Sequence, residues 1–263
     1  MKYNYHTHVN MTRHAFGSIE DYVLKAIEKG YESIGFSDHV PSLKGRRNRM
    51  TIIDFYTRYL KEIREAQNKY GHLIKIYAGL EVEYEPEYLS FHKLLRSKLD
   101  YLILGQHEMI LDGVMKNCYE NVTPEYIENY VKYIEEALNT GLYKILAHPE
   151  LFRVGNSYQW GEVEKRAAER LIDICIKNNV YMEMNANGLR YHYNQESNDE
   201  IEKYAYPYIP FWKLVKEKGA KVIISDDCHT PKHFSDKMTD KIEEIAKSLN
   251  INYLDVKIVE QLL

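Results

Sequence analysis

Short apolar runs alternate along the chain with longer segments in which apolar residues recur every three or four positions. The short runs are typical of buried strands, and the longer spacing is typical of amphipathic helices. Strands are therefore predicted at residues 2–5, 32–36, 74–82, 101–104, 143–147, 180–185 and 221–225. Helices are predicted at about 18–30, 54–71, after Pro86, 123–141, 161–178, 210–218 and 239–249, with a short last element behind them.

Two of the predicted helices begin with specific signals. Ser18 and Asp21 resemble a capping box, and Thr123-Pro124 combines an N-cap residue with proline in the first turn. Strand–helix alternation indicates parallel strands joined by right-handed crossovers. Seven units without a linker favour one closed α/β barrel, whose site would lie at the C-terminal ends of the strands.

Composition narrows the class of protein. The chain has 263 residues, of which 44% are hydrophobic, and its net charge of −4 argues against a nucleic-acid-binding surface. Three widely spaced cysteines, Cys118, Cys175 and Cys228, suggest no disulfide framework and suit a reducing compartment. We find no signal peptide and no apolar run approaching about 18 residues, so we expect a cytoplasmic protein.

Potential metal ligands lie at the ends of the predicted strands. His6 and His8 are two positions apart, so a strand would point both imidazoles to the same side. A single histidine could equally cap a helix or fill a core, but the later strand ends repeat the pattern with further acids and imidazoles. The full candidate set is His6, His8, His14, His39, Glu81, His107, His148, Asp227 and His229.

Nine candidate ligands are too many for one ion, because zinc takes about four and a catalytic site keeps one position for water. With one bridging carboxylate, the set fits three divalent ions, whose identity (zinc, manganese or iron) the sequence does not reveal. Metals lower the pKa of bound water and so create a nucleophile. Neither an activated serine or cysteine nor a phosphate-binding glycine loop is evident.

The motifs YHTH, HAFG, GFSDHVP, GLEVEY, LGQHEM, AHPELF, NANGLR and SDDCH, spread over residues 3–229, resemble those of the PHP (polymerase and histidinol phosphatase) family, and most closely its histidinol-phosphatase branch. The resemblance implies a single PHP-type domain over 1–263, folded as a distorted (β/α)7 barrel with a trinuclear centre. One metal would be held by His6, His8, Glu81 and Asp227. Glu81 would bridge to a third metal on His107 and His148, and the second metal would be held by His14, His39 and His229.

The expected substrate is a small phosphate monoester, L-histidinol phosphate by the resemblance, attacked by a hydroxide that bridges the metals. Arg153 and Arg190 follow strand ends, and the resemblance implies that they bind the phosphate and stabilise its charge. The alternative is that they are surface arginines. Glu108 could pair with the substrate ammonium. Either Asp227 or His229, or a metal-bound water, could protonate the leaving alkoxide.

Some roles stay open at this stage. Asp226, which precedes the ligand Asp227, either supports the centre or simply ends its strand, and Glu83 could support it from the face of Glu81. The basic loop 40–51 is either solvated or a lid over the site. Alternative substrates are a sugar phosphate, a nucleotide or a phosphotyrosyl peptide, and alternative functions are a nuclease and a non-catalytic metal-binding protein. We expect histidine biosynthesis as the setting, no membrane partner and an undetermined oligomeric state.

Overall fold

Seven parallel strands form the centre of the computed structural model, which describes residues 1–43, 49–191, 198–199 and 202–253. Each strand of this sheet pairs with the next one along the chain. A separate two-stranded sheet is inserted between the fourth and fifth strands of the barrel. The strands of the seven-stranded sheet are β1 (Tyr3–Asn4), β2 (Ser33–Phe36), β3 (Lys75–Val82), β4 (Tyr101–Leu104), β7 (Ile145–Leu146), β8 (Tyr181–Asn185) and β9 (Val222–Ser225).

The sheet curls into a barrel that is nearly closed. At its C-terminal end, Thr7 and Cys228 form a parallel bridge, in which the His8 amide donates to the Cys228 carbonyl at 2.8 Å. The Asn4 side chain adds a contact across the same seam, since its Oδ1 accepts from the Asp226 amide at 3.0 Å. The sequential strand order and this seam confirm the predicted seven-stranded barrel.

Helices surround the barrel and bury one face each against it. The predicted cap signals are confirmed, because Ser18 forms a complete capping box with Asp21 and the Thr123 side chain accepts from the Tyr126 amide. The helices are α1 (Ile19–Glu28), α2 (Ile52–Asp54), α3 (Leu60–Tyr70), α4 (Leu89–Arg96), α5 (Pro124–Asn139), α6 (Glu162–Asn178), α7 (Gly188–Tyr191), α8 (Ile209–Lys218) and α9 (Lys237–Ser248). A π-helical segment, Phe55–Tyr59, joins α2 to α3. Among the described residues, no helix is both long and apolar enough to cross a membrane.

Aromatic rings fill the inside of the barrel. The Tyr101 ring lies across it and donates its hydroxyl to the carbonyls of Tyr5 at 2.6 Å and Phe36 at 3.1 Å. Gly79 makes room for this ring, because a Cβ there would lie 2.5 Å from it. Several of the chain's 24 tyrosines are thus barrel core.

One pair of strands was not predicted from the sequence. The two-stranded sheet after β4 is an antiparallel hairpin of β5 (Glu108–Leu111) and β6 (Val114–Asn117). Its two-residue turn, Asp112-Gly113, has φ angles of 51° and 76°, as a type I′ turn requires. The Asp-Gly pair was a usable signal for this hairpin. The predicted last element falls mostly outside the described residues, although Tyr253 pairs with Val222.

Candidate metal centre

The nine predicted ligands meet at the C-terminal mouth of the barrel. Most of them directly follow a barrel strand, and Glu81 lies within β3 near its end. His14 reaches the centre from the long loop after β1, and its ring lies 5.0 Å from the rings of both His39 and His229. The C-terminal ends of parallel strands lie at the same end of a barrel, so residues that are far apart in the sequence become neighbours there.

Three groups of ligand atoms have all members within 4.8 Å of one another. They divide the histidines as the resemblance implied, except that His8 also joins the group containing His14. The three groups are His8, His14, His39 and His229; His6, His8 and Glu81; and Glu81, His107 and His148. Asp227 lies beside the first two groups, with Oδ1 3.2 Å from Nε2 of His8 and 3.5 Å from Nε2 of His6.

Glu81 stands at the middle of the centre. Its Oε1 lies 3.0 Å from Nε2 of His148 and 3.7 Å from Nε2 of His107. Its Oε2 lies 3.6 Å from Nε2 of His6 and 3.5 Å from Nε2 of His8. The two oxygens therefore face different histidine groups, which is the geometry that a bridging carboxylate needs.

Buried carboxylates hold three of the histidines from behind. Nδ1 of His6 lies 2.8 Å from Glu183, and Nδ1 of His107 lies 2.7 Å from Glu83. Nδ1 of His8 lies 3.3 Å from Asp38 in the same way. A proton kept on Nδ1 by a carboxylate leaves the Nε2 lone pair for a metal, and it also orients the ring.

Two of these supporting carboxylates, Asp38 and Glu183, were not identified from the sequence. Asp38 is adjacent to the predicted ligand His39 in the SDH motif, and Glu183 points inward from β8, two residues before Asn185. Both are fully buried. A charged residue within a buried apolar strand, as Glu183 is, was the available signal, since such groups are rarely buried without a partner.

Asp227 is held from its other oxygen. The side-chain amides of Asn185 and Asn187 donate to its Oδ2 at 3.1 and 3.3 Å. Asp227 itself has φ 48°, and His148 has φ 29°. Left-handed backbone at non-glycine residues persists only where the surroundings impose it, and it is concentrated at functional sites.

The electrostatics of the centre balance burial against opposite charge. Burial disfavours the charged form of His8, but Asp227 and Asp38 outweigh it and raise the pKa of His8 to about 9. Burial likewise opposes the charge of His107, and Glu83 and Glu81 raise its pKa to about 9. These two imidazoles therefore carry protons near neutral pH unless a metal takes their place.

The other side of the centre holds neutral imidazoles. Burial and the neighbouring His8 lower the pKa of His14 to about 4 and that of His229 to about 3. Burial raises the pKa of Glu81, but the charges of His107 and His6 outweigh it and hold this pKa well below the usual range. The centre thus combines ionised carboxylates with imidazoles that have free lone pairs.

Two buried ligand nitrogens have no hydrogen-bond partner among the described residues, namely Nδ1 of His14 and Nδ1 of His148. Buried polar atoms are nearly always paired, so these two nitrogens need a partner that is not protein. Both belong to predicted metal ligands, and the donor set of imidazole and carboxylate suits zinc, manganese or iron. The residues present therefore fit a group of divalent metal ions.

A cavity of about 260 Å³ opens over the centre. Its walls include predicted ligands together with residues that could contact a bound molecule. The latter are Arg49, Glu108, Tyr119, Asn187 and Tyr206. Glu108 lines the pocket, and its role toward a substrate ammonium stays a prediction. Arg49 reaches the pocket from the described part of the basic loop 40–51. Residues 44–48 of this loop, and the lid hypothesis with them, lie outside the described residues.

The two predicted phosphate ligands are placed elsewhere. Arg153 is buried, and its guanidinium donates to the carbonyls of Tyr158 and Ala205 at 2.7 and 2.8 Å. Arg190 donates to Asp236 at 2.7 Å and to the carbonyl of Asp226 at 2.7 Å. The structure does not bring either arginine to the lining of the pocket. Their assignment to the phosphate was made from their position after strands and from the family resemblance, and neither determines where a guanidinium points.

Asp226 also faces away from the metal ligands. Its carboxylate accepts from Arg190 at 3.3 Å, from the Ser235 amide at 3.0 Å and from the Thr239 hydroxyl. It therefore connects the end of β9 to α9. Of the two interpretations of this residue, the structural one fits these contacts.

Comparisons with known proteins identify the family and the fold of the chain. The family model of the PHP domain matches residues 4–187. A probable histidinol-phosphatase of Schizosaccharomyces pombe is 25% identical over 83% of this chain and 77% of its own. The histidinol-phosphatase of Bacillus subtilis is 24% identical over 85% of this chain and 92% of its own. A histidinol phosphate phosphatase from Lactococcus lactis, solved with zinc, L-histidinol and phosphate, superposes with a TM-score of 0.71 at 18% identity, covering 96% of this chain and 95% of its own.

Proposed function

Since the chain belongs to the PHP domain family, we propose that it is a metal-dependent phosphatase that hydrolyses L-histidinol phosphate to L-histidinol and phosphate. One observation carries this proposal: nine predicted metal ligands lie together, eight of them lining one pocket, and buried nitrogens among them lack a protein partner. Curated relatives named histidinol-phosphatase, which align over most of the chain, support the choice of substrate. The reaction belongs to histidine biosynthesis.

The proposed centre holds three ions. His6, His8, Glu81 and Asp227 would bind one, and Glu81 would share a second with His107 and His148, because its two oxygens face the two sets. The remaining ion would lie among His14, His39 and His229. When bound, the ions supply a nucleophilic water at neutral pH and draw charge from the phosphoryl oxygens. Zinc is one candidate, since the Lactococcus relative was solved with it.

The chain's own residues would orient the substrate. Arg49 lines the pocket 3.1 Å from Glu83, so its guanidinium can add positive charge near the phosphoryl group. Glu108, which also lines the pocket, would accept a hydrogen bond from the ammonium group of an amino-alcohol phosphate. Asp227 and His229 adjoin the centre, but the pKa of His229 is lowered to about 3 by burial and that of Asp227, despite its burial, is held well below its usual range by the neighbouring histidines. Neither carries a proton near neutral pH, so the proton for the leaving alkoxide would come from water.

The proposal extends to the whole chain. We propose one domain over residues 1–263, which is supported by a single sheet that runs from Tyr3 to Ser225. A cytoplasmic setting is supported by the cysteines, all buried free thiols. The protein would bind a small phosphate ester and not a nucleic acid, given its net charge of −4.

Substrate profiling tests this function. Phosphate release from L-histidinol phosphate is compared with release from p-nitrophenyl phosphate, a sugar phosphate, a mononucleotide and a phosphotyrosyl peptide. We expect kcat/KM to favour L-histidinol phosphate by about a hundredfold, which is about 2.7 kcal/mol of transition-state discrimination. A preference for any other ester would retain the metal mechanism and refute the proposed substrate.

A further inference from the structure

We propose that Arg153 and Glu150 are positioning residues that hold Tyr206 in the wall of the pocket, and that Tyr206 contacts the substrate. This inference rests on the proposed phosphatase function for its kinetic part. It gives Arg153 a role in substrate binding without a contact to the phosphate.

Arg153 ties two loops together. Its guanidinium donates to the Ala205 carbonyl at 2.8 Å on one side and to the Tyr158 carbonyl at 2.7 Å on the other. The same group lies 3.4 Å from the centroid of the Tyr208 ring. Such a cation over an aromatic face adds to the hydrogen bonds in a buried setting. Arg153 therefore fixes the backbone on both sides of Tyr206.

Glu150 anchors the same segment from a second point. One carboxylate oxygen accepts from the Tyr208 amide at 2.6 Å, and the other accepts from the indole Nε1 of Trp212 at 3.0 Å. Both Glu150 and Trp212 are buried. The start of α8 is thereby held to the loop that follows the ligand His148.

Tyr206 lies between these two anchors and faces the pocket. Its ring is 6.0 Å from that of His148, and it lines the cavity over the metal centre. Its other side packs on Gly188, where an added Cβ would clash with the carbonyl oxygen and ring of Tyr206. The position of the ring is therefore set from three directions, as a wall of a specific binding site requires.

The contacts predict where the effects of mutation appear. Loss of Arg153 releases the carbonyl at Ala205 and lets Tyr206 move, but it removes no metal ligand and no charge lining the pocket. Substrate binding should suffer while the metals stay bound. If Arg153 bound the phosphate directly, the result would differ. Its loss would then weaken the binding of inorganic phosphate as well as the binding of every phosphate ester.

A double-mutant cycle tests this inference, with Arg153→Ala, Tyr206→Ala and the pair, and with Arg170→Ala, an exposed arginine, as the matched control. We expect each single variant to raise KM about tenfold with kcat within about threefold, and the pair to be no worse than either single variant, because both act through one contact. Metal content and inhibition by inorganic phosphate should equal those of the wild type. Additive losses in KM, or weaker inhibition by phosphate in Arg153→Ala, would overturn the inference.

Two further measurements keep the test decisive. Gly188→Ala displaces Tyr206 and leaves Arg153 intact, so it should reproduce the rise in KM even where Arg153→Ala folds poorly. Amide hydrogen exchange in residues 202–208 should be about tenfold faster in Arg153→Ala than in Arg170→Ala, because local opening follows lost contacts. Unchanged amide hydrogen exchange would refute the positioning role of Arg153, whichever reaction the protein catalyses. The double-mutant cycle is measured with whichever phosphate ester the protein hydrolyses. If the protein hydrolyses another ester but not L-histidinol phosphate, only the proposed substrate is refuted.

Discussion

Replacing Glu183 with glutamine would test how the buried carboxylates prepare the histidines for metal binding. Glu183 accepts three hydrogen bonds: from Nδ1 of His6 at 2.8 Å, from the Asn185 side chain at 2.8 Å and from the His148 amide at 3.1 Å. Glutamine keeps the shape but offers one acceptor oxygen and one donor NH2. Whichever way the amide turns, one side of this network is broken.

The two orientations of the glutamine have different consequences. If its NH2 faces Asn185 and the His148 amide, donors oppose donors in a buried site. If the NH2 faces His6, it selects the tautomer with the proton on Nε2, and that proton blocks the atom directed at the metal. An unsatisfied buried donor costs about 1–3 kcal/mol, and loss of a carboxylate behind a metal-binding histidine typically lowers metal affinity or activity by about 10–100-fold. We therefore expect Glu183→Gln to weaken metal binding by that factor, equivalent to about 1.4–2.7 kcal/mol.

The assay is a competition titration of the metal-free protein against a chromogenic chelator, followed by activity at saturating metal. Glu128→Gln, the same change at a largely exposed carboxylate paired with Arg170, is the matched control and should leave metal affinity unchanged. Metal affinity and kcat/KM within twofold of the wild type in Glu183→Gln would refute the claim that this carboxylate sets the His6 tautomer.

Three further outcomes follow from the structure. His148→Ala should lower metal content and activity together, since His148 faces Glu81 at 3.0 Å, and elemental analysis that finds full metal content would exclude it as a ligand. The pKa values of His8 and His107 lie near 9 without metal, and that of His6 is raised well above its usual value, so metal must displace three protons. Metal affinity should therefore rise steeply above pH 7, by about a thousandfold per pH unit below these pKa values if all three protons leave, and a pH-independent affinity by calorimetry would contradict this. Gly79→Ala should destabilise the fold by about 1–3 kcal/mol in urea unfolding, because its Cβ would lie 2.5 Å from the Tyr101 ring; an unchanged midpoint would show that the ring can yield.

The barrel could be predicted from the sequence because buried parallel strands read as continuous apolar runs. Tyr101–Leu104 was predicted with its observed bounds for this reason. The cluster of candidate metal ligands could be predicted because six of the seven predicted strands have an acid or imidazole at or just past the apolar run; that these residues bind metal stays a prediction. The hairpin around Asp112-Gly113 was missed because its strands, Glu108–Leu111 and Val114–Asn117, lie outside the barrel and one of them is largely exposed.

The roles of the other side chains around the centre were harder to predict, because these roles depend on where each side chain points. Arg153 and Arg190 follow strand ends as predicted, yet carbonyls and carboxylates behind the rim take their donors. Arg49 reaches the pocket from a loop whose path no local pattern determines. Glu183 is an inward position of β8 that becomes meaningful only when the barrel brings His6 beside it.

Metal-dependent hydrolysis of L-histidinol phosphate is tested most directly by one measurement on the purified protein. Phosphate release is followed before chelation, after complete removal of metal, and during back-titration with zinc or manganese. The account predicts that the metal-free protein is inactive and that metal restores turnover. Full activity in the metal-free protein would contradict the account.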